Sequence, residues 1–169
     1  KEHAVLRTQT FYGNVVDGTM VHLATMNLML RGLPDVRILK RNALTQTMDR
    51  DRRAEFDLPL DGYDVILANP PFSGKLDRDR IVDDVKVGTA TNTELLFVKY
   101  MLNSLRKDGR CGVVVPEGVL FGSTRGHKEL RRQLLENNTL HAVMSLPNGV
   151  FQPYSGVKTD VVNRFVTPQ

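Results

Sequence analysis

Short apolar runs alternate along this chain with segments in which apolar residues recur at helical spacing. The runs predict strands over residues 11–16, 36–39, 63–68, 111–115 and 140–146, and residues 158–166 are a candidate for a last strand. The repeats predict helices over 19–31, from Thr91 to a stop at Gly109, and after a glycine-containing loop to about Glu136. This order predicts an open, largely parallel α/β sheet with helices on both faces.

The pattern within these elements also predicts which residues are buried. The strand over 63–68 is apolar on both faces, as expected for an interior parallel strand. Thr91 and Glu94 have the spacing of a capping box, which predicts a helix start at Thr91. Residues 42–60 and 73–92 are polar stretches, and the charges at 49–53 predict solvated surface. The predicted helical core residues are Val21, Ala24, Leu28, Leu95, Val98, Leu102, Leu105, Leu130, Leu134 and Leu135.

The length of 169 residues suits a single domain, predicted to span residues 1–169. Hydrophobic residues make up 41% of the chain, enough for a buried core, and the 25% of charged residues argues against global disorder. The start at Lys1, without an initiator methionine, favours a piece of a longer protein.

Charge, cysteine content and apolar run lengths limit the possible partners and the cellular compartment. The net charge of +4 at pH 7 and the pI of about 9.4 give a mild bias toward acidic partners such as nucleic acid. The single cysteine, Cys111, excludes an internal disulfide, fits a reducing cytoplasm, and lies in an apolar run that predicts its burial. No apolar run approaches the ~18 residues of a membrane span. The four histidines lack the spacing of a metal site.

The candidate chemistry lies in Asn69-Pro70-Pro71-Phe72, directly after the apolar strand over 63–68. Ligands of doubly wound sheets bind outside the carboxyl ends of the strands, which is where this tetrapeptide falls. Two consecutive prolines fix φ and remove two N–H donors, so the turn is stiff and its carbonyls remain acceptors. The Asn69 side chain adds a carbonyl oxygen, and Phe72 adds a flat apolar face.

Such a site suits an exocyclic amine on a flat heterocycle. Accepting both amine hydrogens concentrates electron density on the nitrogen and eases its attack on an electrophilic methyl group. The alternative is that Asn-Pro-Pro only terminates a strand. The following polar stretch of ~20 residues favours a functional role, since loops of that length in compact domains are usually functional or disordered.

Residues 64–74, Asp-Val-Ile-Leu-Ala-Asn-Pro-Pro-Phe-Ser-Gly, resemble the catalytic motif of adenine-N6 DNA methyltransferases. The wider chain resembles the modification subunit of type I restriction-modification systems in residues 20–32, 92–100, 114–122 and 145–159. The resemblance covers nearly the whole chain, in order. It implies a Rossmann-like, S-adenosylmethionine-dependent methyltransferase sheet that lacks its first strand and glycine-rich loop, which would lie upstream of Lys1.

The resemblance also implies roles and partners. Asn69 and the Pro70 carbonyl would accept from N6 of a flipped adenine, and Phe72 would stack on the base. S-adenosylmethionine would lie beside them on the strand ends. The complete subunit would act on DNA with a specificity subunit and a restriction subunit, in the cytoplasm of a bacterium or archaeon.

The chain departs from the family at the expected cofactor positions. Val15 stands where a glutamate usually binds the ribose hydroxyls, and Asp17 either takes over this role or caps the next helix. Asn42 and Ala43 stand where an acidic residue commonly receives the adenine amine, and Asn42 retains an acceptor without charge. The expected cofactor-binding residues are therefore Val15, Asp17, Asn42, Ala43 and Asn69. We expect the isolated chain to bind S-adenosylmethionine weakly or not at all.

Basic residues near the motif are candidates for DNA phosphate contacts. Lys75 and Arg78 follow the motif, and Arg125 and Lys128 lie at the start of a basic helix with His127, Arg131 and Arg132. The alternative is an ordinary solvated surface. Phe151 and Tyr154 are expected to pack against the flipped base, as an aromatic there does in related methyltransferases, or to belong to a core or lid.

Two rival hypotheses remain. The altered residues Val15 and Asn42 favour a degenerate, non-catalytic scaffold, whereas the intact motif disfavours it. Methylation of RNA or protein would use the same amine chemistry, but the segments matching type I subunits favour DNA. Asn163 and Arg164 interrupt the last apolar run and put the pairing of its strand in doubt.

Overall fold

The computed structural model describes residues 5–7, 9–153 and 155–166, with side chains up to residue 162. Its strands are β1 Tyr12–Val15, β2 Arg37–Lys40, β3 Tyr63–Ala68, β4 Leu105–Pro116, β5 Thr139–Ser145 and β6 Thr159–Val166. Its longer helical elements are α1 Gly18–Leu30, α2 Arg50–Glu55, α3 Thr93–Ser104, α4 Glu117–Phe121 and α5 Arg125–Glu136. The chain divides into two compact units, Lys1–Leu58 and Pro59–Gln169.

In the first unit, β1 and β2 form a parallel pair with Tyr12 opposite Arg37. Helix α1 follows β1 and ends where the sequence predicts. Gly32 adopts the left-handed conformation with φ of +77°, and Leu33 N–H donates back to the Leu28 carbonyl at 3.0 Å. This is a Schellman-type ending, which glycine allows without steric cost. Val21, Ala24 and Leu28 share one half-buried face of α1, as predicted, but none of the three is fully buried.

The polar stretch over 42–60 also supplies the core of the first unit. Ala43, Leu44 and Leu58 are buried, and the short helix α2 forms with Asp49 as its N-cap. The expectation of solvated surface at 49–53 holds for the exposed charges at 49–52, whereas Arg53 is half-buried. Burial of Ala43, Leu44 and Leu58 was not predicted. They are isolated in sequence, so no periodic pattern marks them.

The second unit contains a four-stranded sheet in the order β3-β4-β6-β5. β3 and β4 are parallel, whereas β6 is antiparallel to both β4 and β5. β3, β4 and β5 therefore run in one direction and β6 runs opposite to them, which confirms the largely parallel α/β class. The doubt about the last strand was misplaced, because Asn163 in β6 pairs with Gly112 and with Ala142 through backbone groups.

The core of the second unit lies on one face of this sheet. It combines Cys111, Val113, Val115 and Val162 of β4 and β6 with Val98 and Leu102 of α3 and Leu130 and Leu134 of α5. The prediction that both faces of β3 are buried was wrong within the described residues. β3 is an edge strand there, with Val65 48% and Leu67 83% exposed.

The boundary between α3 and β4 differs from the sequence prediction. The N-cap of α3 is Asn92, and the helix ends at Ser104. β4 then begins at Leu105, opposite Tyr63 of β3, and continues through Gly109. The capping box at Thr91 was wrong, because the helix begins at Thr93 with Asn92 as its N-cap. The helical stop at Gly109 was also wrong, because pairing with β3 starts the strand at Leu105, where local sequence continues the helical pattern.

The segment between β4 and α5 contains the short helix α4, which sequence patterns missed. Arg131 of α5 donates to the carbonyls of Val119 at 3.1 Å and Gly122 at 2.8 Å, and so satisfies acceptors at the end of α4. Leu130 and Leu134 are buried as predicted, whereas Leu135 is 65% exposed and its predicted burial was wrong.

Cys111 is 1% exposed, and burial raises the pKa of its thiol to about 12. Since the thiolate is the reactive form, we expect the native protein to react with a disulfide reagent at pH 8 at least about 100-fold more slowly than the unfolded protein. Stopped-flow labelling with and without denaturant measures both rates. Native labelling within about tenfold of the unfolded rate would contradict the burial of this side chain.

Candidate functional site

The Asn-Pro-Pro-Phe turn begins where β3 ends, at Ala68. Because β3 runs parallel to β4, the turn lies at the carboxyl edge of this strand pair. Asn69 and Pro71 are exposed, whereas Pro70 and Phe72 are half-buried. The turn therefore presents the Asn69 amide to solvent at the sheet edge where ligands of such folds bind.

An open cavity of about 470 Å³ adjoins this turn. Among its lining residues, Asn69 carries the polar side chain, and the others present small or apolar groups. The size is in the range of sites for small organic ligands. The lining residues are Leu67, Ala68, Asn69, Gly112, Val113, Val114 and Val161.

The structure brings Phe151 to the motif. Its ring lies 5.4 Å from that of Phe72, centroid to centroid, with an interplanar angle of 66°. Edge-to-face pairs of this kind stabilise by about 1 kcal/mol. The end of β3 therefore carries a pair of aromatic side chains, Phe72 and Phe151. Tyr154, the other aromatic residue singled out from the sequence, lies outside the described residues.

The loop after the motif is anchored at both of its ends. Leu76 N–H donates to the Thr91 carbonyl at 3.1 Å, and Thr93 N–H donates to the Gly74 carbonyl at 3.0 Å. These bonds flank an antiparallel bridge between Lys75 and Asn92. Between the anchors, the polar stretch buries three apolar side chains, Ile81, Val85 and Val87.

Four of the basic residues predicted to contact DNA are exposed. They are Lys75, Arg78, Arg125 and Lys128. Two neighbouring arginines on α5 interact within the protein. Arg132 forms ion pairs with Glu129 at 2.8 Å and Glu136 at 2.7 Å, and Arg131 donates to a backbone carbonyl of α4. The basic surface is therefore smaller than the sequence suggests.

His127 contributes little to that surface. Burial, together with the positive charge of Arg131, lowers the pKa of His127 below its usual value of 6.5. Its Nδ1 lies 2.6 Å from the Thr124 hydroxyl, which also caps α5 by accepting from the His127 backbone N–H. At neutral pH the ring is thus predominantly uncharged.

Asp17 acts as a helix cap. It is the N-cap of α1, and one carboxylate oxygen accepts from Met20 N–H at 3.0 Å. Of the two roles left open by the sequence, the cap is therefore observed. Val15 is the last residue of β1 and is half-buried. Its carbonyl accepts from Arg41 N–H at 2.8 Å, so the hydrogen bonding between β1 and β2 continues to the residue after β2.

Asn42 follows β2 and forms a local turn. Its side-chain oxygen accepts from Leu44 N–H at 3.0 Å, and its backbone N–H donates to Gln46 Oε1 at 3.1 Å. Ala43, between them, is buried. With Asp17, these groups offer a carboxylate and an amide near the ends of the first unit's strands. Their chemistry suits the hydroxyl groups and the heterocycle edge of an adenosine.

Sequence reasoning missed the contact between Gly74 and Thr93 beside the motif. A glycine two residues after Phe72 was the available signal. Thr93 is buried, and its hydroxyl oxygen has no hydrogen-bond partner. Within the described residues, no group of three or more histidine, cysteine or acidic side chains is arranged to hold a metal ion. None of the helices described is long and apolar enough to cross a membrane.

Comparison with known proteins adds independent observations. A family model described as N-6 DNA Methylase matches residues 2–163. The Type I restriction enzyme EcoEI methylase subunit of Escherichia coli is 34% identical over 165 residues, which are 96% of this chain and 31% of that protein. The resemblance indicated by the motifs is thus confirmed.

Solved structures of type I restriction-modification proteins are also similar to this chain. The EcoKI M protein of Escherichia coli strain K12 is 26% identical with a TM-score of 0.74, over 96% of this chain and 32% of that one. A chain from a structural study of complex assembly and conformational transition in the type I R-M system is 36% identical with a TM-score of 0.80, over 98% and 32%. The chain spans about a third of the length of these relatives.

Proposed function

Because this chain belongs to the N-6 DNA Methylase family, we propose that it is the methyltransferase core of a type I modification subunit and methylates N6 of adenine in DNA. The observation that carries the proposal is the Asn-Pro-Pro-Phe turn at the carboxyl edge of β3, with Asn69 exposed beside an open cavity. We assign residues 1–169 to the C-terminal part of one catalytic domain.

The turn would hold the target base through two hydrogen-bond acceptors and one aromatic ring. The Asn69 side-chain oxygen and the Pro70 carbonyl each accept one hydrogen of the target amine, which concentrates electron density on its nitrogen. Pro70 and Pro71 hold these acceptors in place because their φ angles are fixed. Phe72 stacks on the base. Bound S-adenosylmethionine would supply an electrophilic methyl group to this nitrogen and leave as S-adenosylhomocysteine, and the amine would give up one of its two hydrogens as a proton to solvent.

Within the first unit, the cofactor would be held by polar groups at the strand ends. Asp17 keeps one carboxylate oxygen beyond its capping bond, which suits a ribose hydroxyl. The Asn42 amide and the Ala43 backbone would meet the adenine edge. Val15 contributes apolar contact only, so the hydroxyl contact of the family's usual glutamate is missing. In the second unit, Asn69 is a separate candidate for contact with the cofactor.

Val15→Glu is therefore expected to tighten S-adenosylmethionine binding in the complete subunit by about tenfold, the gain of one charge-assisted hydrogen bond. Isothermal titration measures the dissociation constant directly. Val16→Glu is the matched control, because Val16 is adjacent and 61% exposed. An unchanged affinity in Val15→Glu would contradict the assigned ribose position.

DNA enters this proposal as the source of the target base. The amine of adenine is out of reach inside a duplex, so the base must be flipped out of the stack. Phosphate contacts from Lys75, Arg78, Arg125 and Lys128 would give affinity without sequence choice, and Phe151 would contact the flipped base. Sequence choice would come from a specificity subunit and cleavage from a restriction subunit, in the cytoplasm of a bacterium or archaeon.

The test is methyl transfer by the complete subunit assembled with its specificity subunit. We expect labelled methyl groups on duplex DNA, recovered as N6-methyladenine, and a loss of about 5- to 150-fold in rate in Phe72→Ala, since base stacking contributes about 1–3 kcal/mol. Phe56→Ala is a matched control because Phe56 lies outside the motif and is partly exposed. DNA binding without methylation would favour the non-catalytic scaffold. Methylation of RNA or a glutamine peptide in place of DNA would favour the other rival.

A further inference from the structure

The Asn-Pro-Pro-Phe turn is the first part of an arch with two fixed ends. One end is β3, which terminates at Ala68. The other is Gly74, whose carbonyl accepts from Thr93 N–H at 3.0 Å in the first turn of α3. Phe72 lies between these anchors, and the two prolines before it allow little change in φ. The position of Phe72 therefore depends on where Gly74 sits.

Gly74 sits directly against the Thr93 side chain. A Cβ atom at Gly74 would lie 2.8 Å from Thr93 Oγ1 and 3.2 Å from Thr93 Cγ2. The first distance is shorter than real Cβ contacts, so any larger residue at 74 forces a displacement. Thr93 is 9% exposed and β-branched, which restricts its rotamers. The displacement thus falls mainly on the arch.

The Thr93 side chain acts here through its shape. Its hydroxyl oxygen is buried and has no hydrogen-bond partner among the described residues. Removing the hydroxyl therefore breaks no hydrogen bond to them. What the side chain provides is a wall against which the backbone of Gly74 rests.

We propose that the contact between Gly74 and Thr93 sets the position of Phe72, and with it the position of the target base, so that Thr93 is a positioning residue for methyl transfer. This inference rests on the proposed function. A Cβ at Gly74 must move from 2.8 Å to at least 3.4 Å from Thr93 Oγ1 to reach an ordinary contact. A shift of this kind moves Phe72 relative to Phe151, whose ring centroid lies 5.4 Å away.

The first experiment is a double-mutant cycle in the complete subunit with its specificity subunit. Gly74→Ala is expected to lower kcat by about 10- to 100-fold, because displacements approaching 1 Å have effects of this size. KM for DNA should change by less than about threefold, since the phosphate contacts remain.

Thr93→Ala is expected to rescue the Gly74→Ala variant. It removes Oγ1 and Cγ2, and the Thr93 Cβ lies 3.6 Å from the added carbon, an ordinary contact. The double variant should therefore recover kcat to within about threefold of Thr93→Ala alone, a positive coupling between the two sites. Gly118→Ala is the matched control, because nothing lies within 4 Å of a Cβ there.

A second readout does not depend on methylation. With 4-fluorophenylalanine incorporated, the ¹⁹F resonance of Phe72 reports its contact with Phe151. We expect this resonance to shift in Gly74→Ala, to return in the double variant, and to broaden in Thr93→Ala alone, which removes the wall. If Gly74→Ala does not fold, Thr93→Ala still tests the wall by this broadening.

The outcomes separate the two claims. A Gly74→Ala enzyme with wild-type kcat, or a double variant more than about threefold slower than Thr93→Ala alone, would overturn the positioning role. An unmoved Phe72 resonance in both single variants would also overturn it. If the wild-type complex transfers no methyl group, the proposed function fails, while the Phe72 resonances still decide whether Thr93 positions the arch.

Discussion

Asn69→Ala is expected to abolish most of the methyl transfer by the complete subunit, with a loss in kcat of at least about 100-fold. One of the two proposed acceptors for the target amine is then missing, and loss of a single preorganised polar group in an active site has an effect of about 10²- to 10³-fold. The side chain is exposed at the end of β3, so its truncation removes no core contact. Single-turnover methylation with labelled S-adenosylmethionine measures the effect.

Two comparisons make the Asn69 result specific. Asn69→Asp keeps an acceptor oxygen in nearly the same place and should retain more activity than Asn69→Ala. Asn27→Ala, at an exposed position on α1, should leave kcat unchanged. If Asn69→Ala kept kcat within about threefold of wild type, the amine-holding role of the turn would be wrong.

Gly62→Ala is expected to have the largest effect on stability, a loss of about 2–6 kcal/mol in the free energy of unfolding. Gly62 has φ of +103°, and a Cβ there would lie 2.6 Å from Arg106 N and 2.7 Å from the Leu105 carbonyl carbon. Backbone strain and overpacking each contribute about 1–3 kcal/mol. The atoms it meets are backbone atoms at the start of β4, which cannot turn aside as a flexible side chain does.

Chemical denaturation of Gly62→Ala measures this loss. Gly88→Ala is the matched control: its φ of +55° is also left-handed, but nothing lies within 4 Å of its Cβ. We expect it to lose only about 1–2 kcal/mol. Equal losses in the two variants would show that the close approach at Gly62 contributes nothing beyond the φ penalty. Because Gly62 immediately precedes β3, its variant should also reduce the folded fraction that carries the motif.

Local sequence was enough for several elements. The strand over 63–68, the end of α1 at Gly32, and the buried positions Leu130 and Leu134 were all predicted. Each depends on neighbours a few residues away: an apolar run, a glycine in the left-handed region, or a helical repeat. The motif's place at the end of β3 follows for the same reason, since strand and turn are contiguous in sequence.

Local sequence patterns did not predict one strand boundary and the burial of several side chains, because these features depend on residues far away along the chain. β4 begins at Leu105 instead of after Gly109, since pairing with Tyr63 holds residues that local sequence assigns to a helix. Leu67 is exposed because β3 is an edge strand of its sheet, although its apolar run predicts an interior strand. Ala43 and Leu44 are buried although they belong to no periodic pattern of apolar residues in the sequence.

The sequence by itself determined the groups on which the proposed chemistry depends: Asn69-Pro70-Pro71-Phe72 after an apolar strand provides a stiff turn with two candidate acceptors and an aromatic ring, because backbone stiffness and side-chain type are local properties. Only the tertiary structure decided what surrounds that turn. It brought the Phe151 ring to 5.4 Å from Phe72 and set Thr93 against Gly74. Contacts between residues so far apart along the chain depend on how strands and helices pack, and a single sequence does not display that packing.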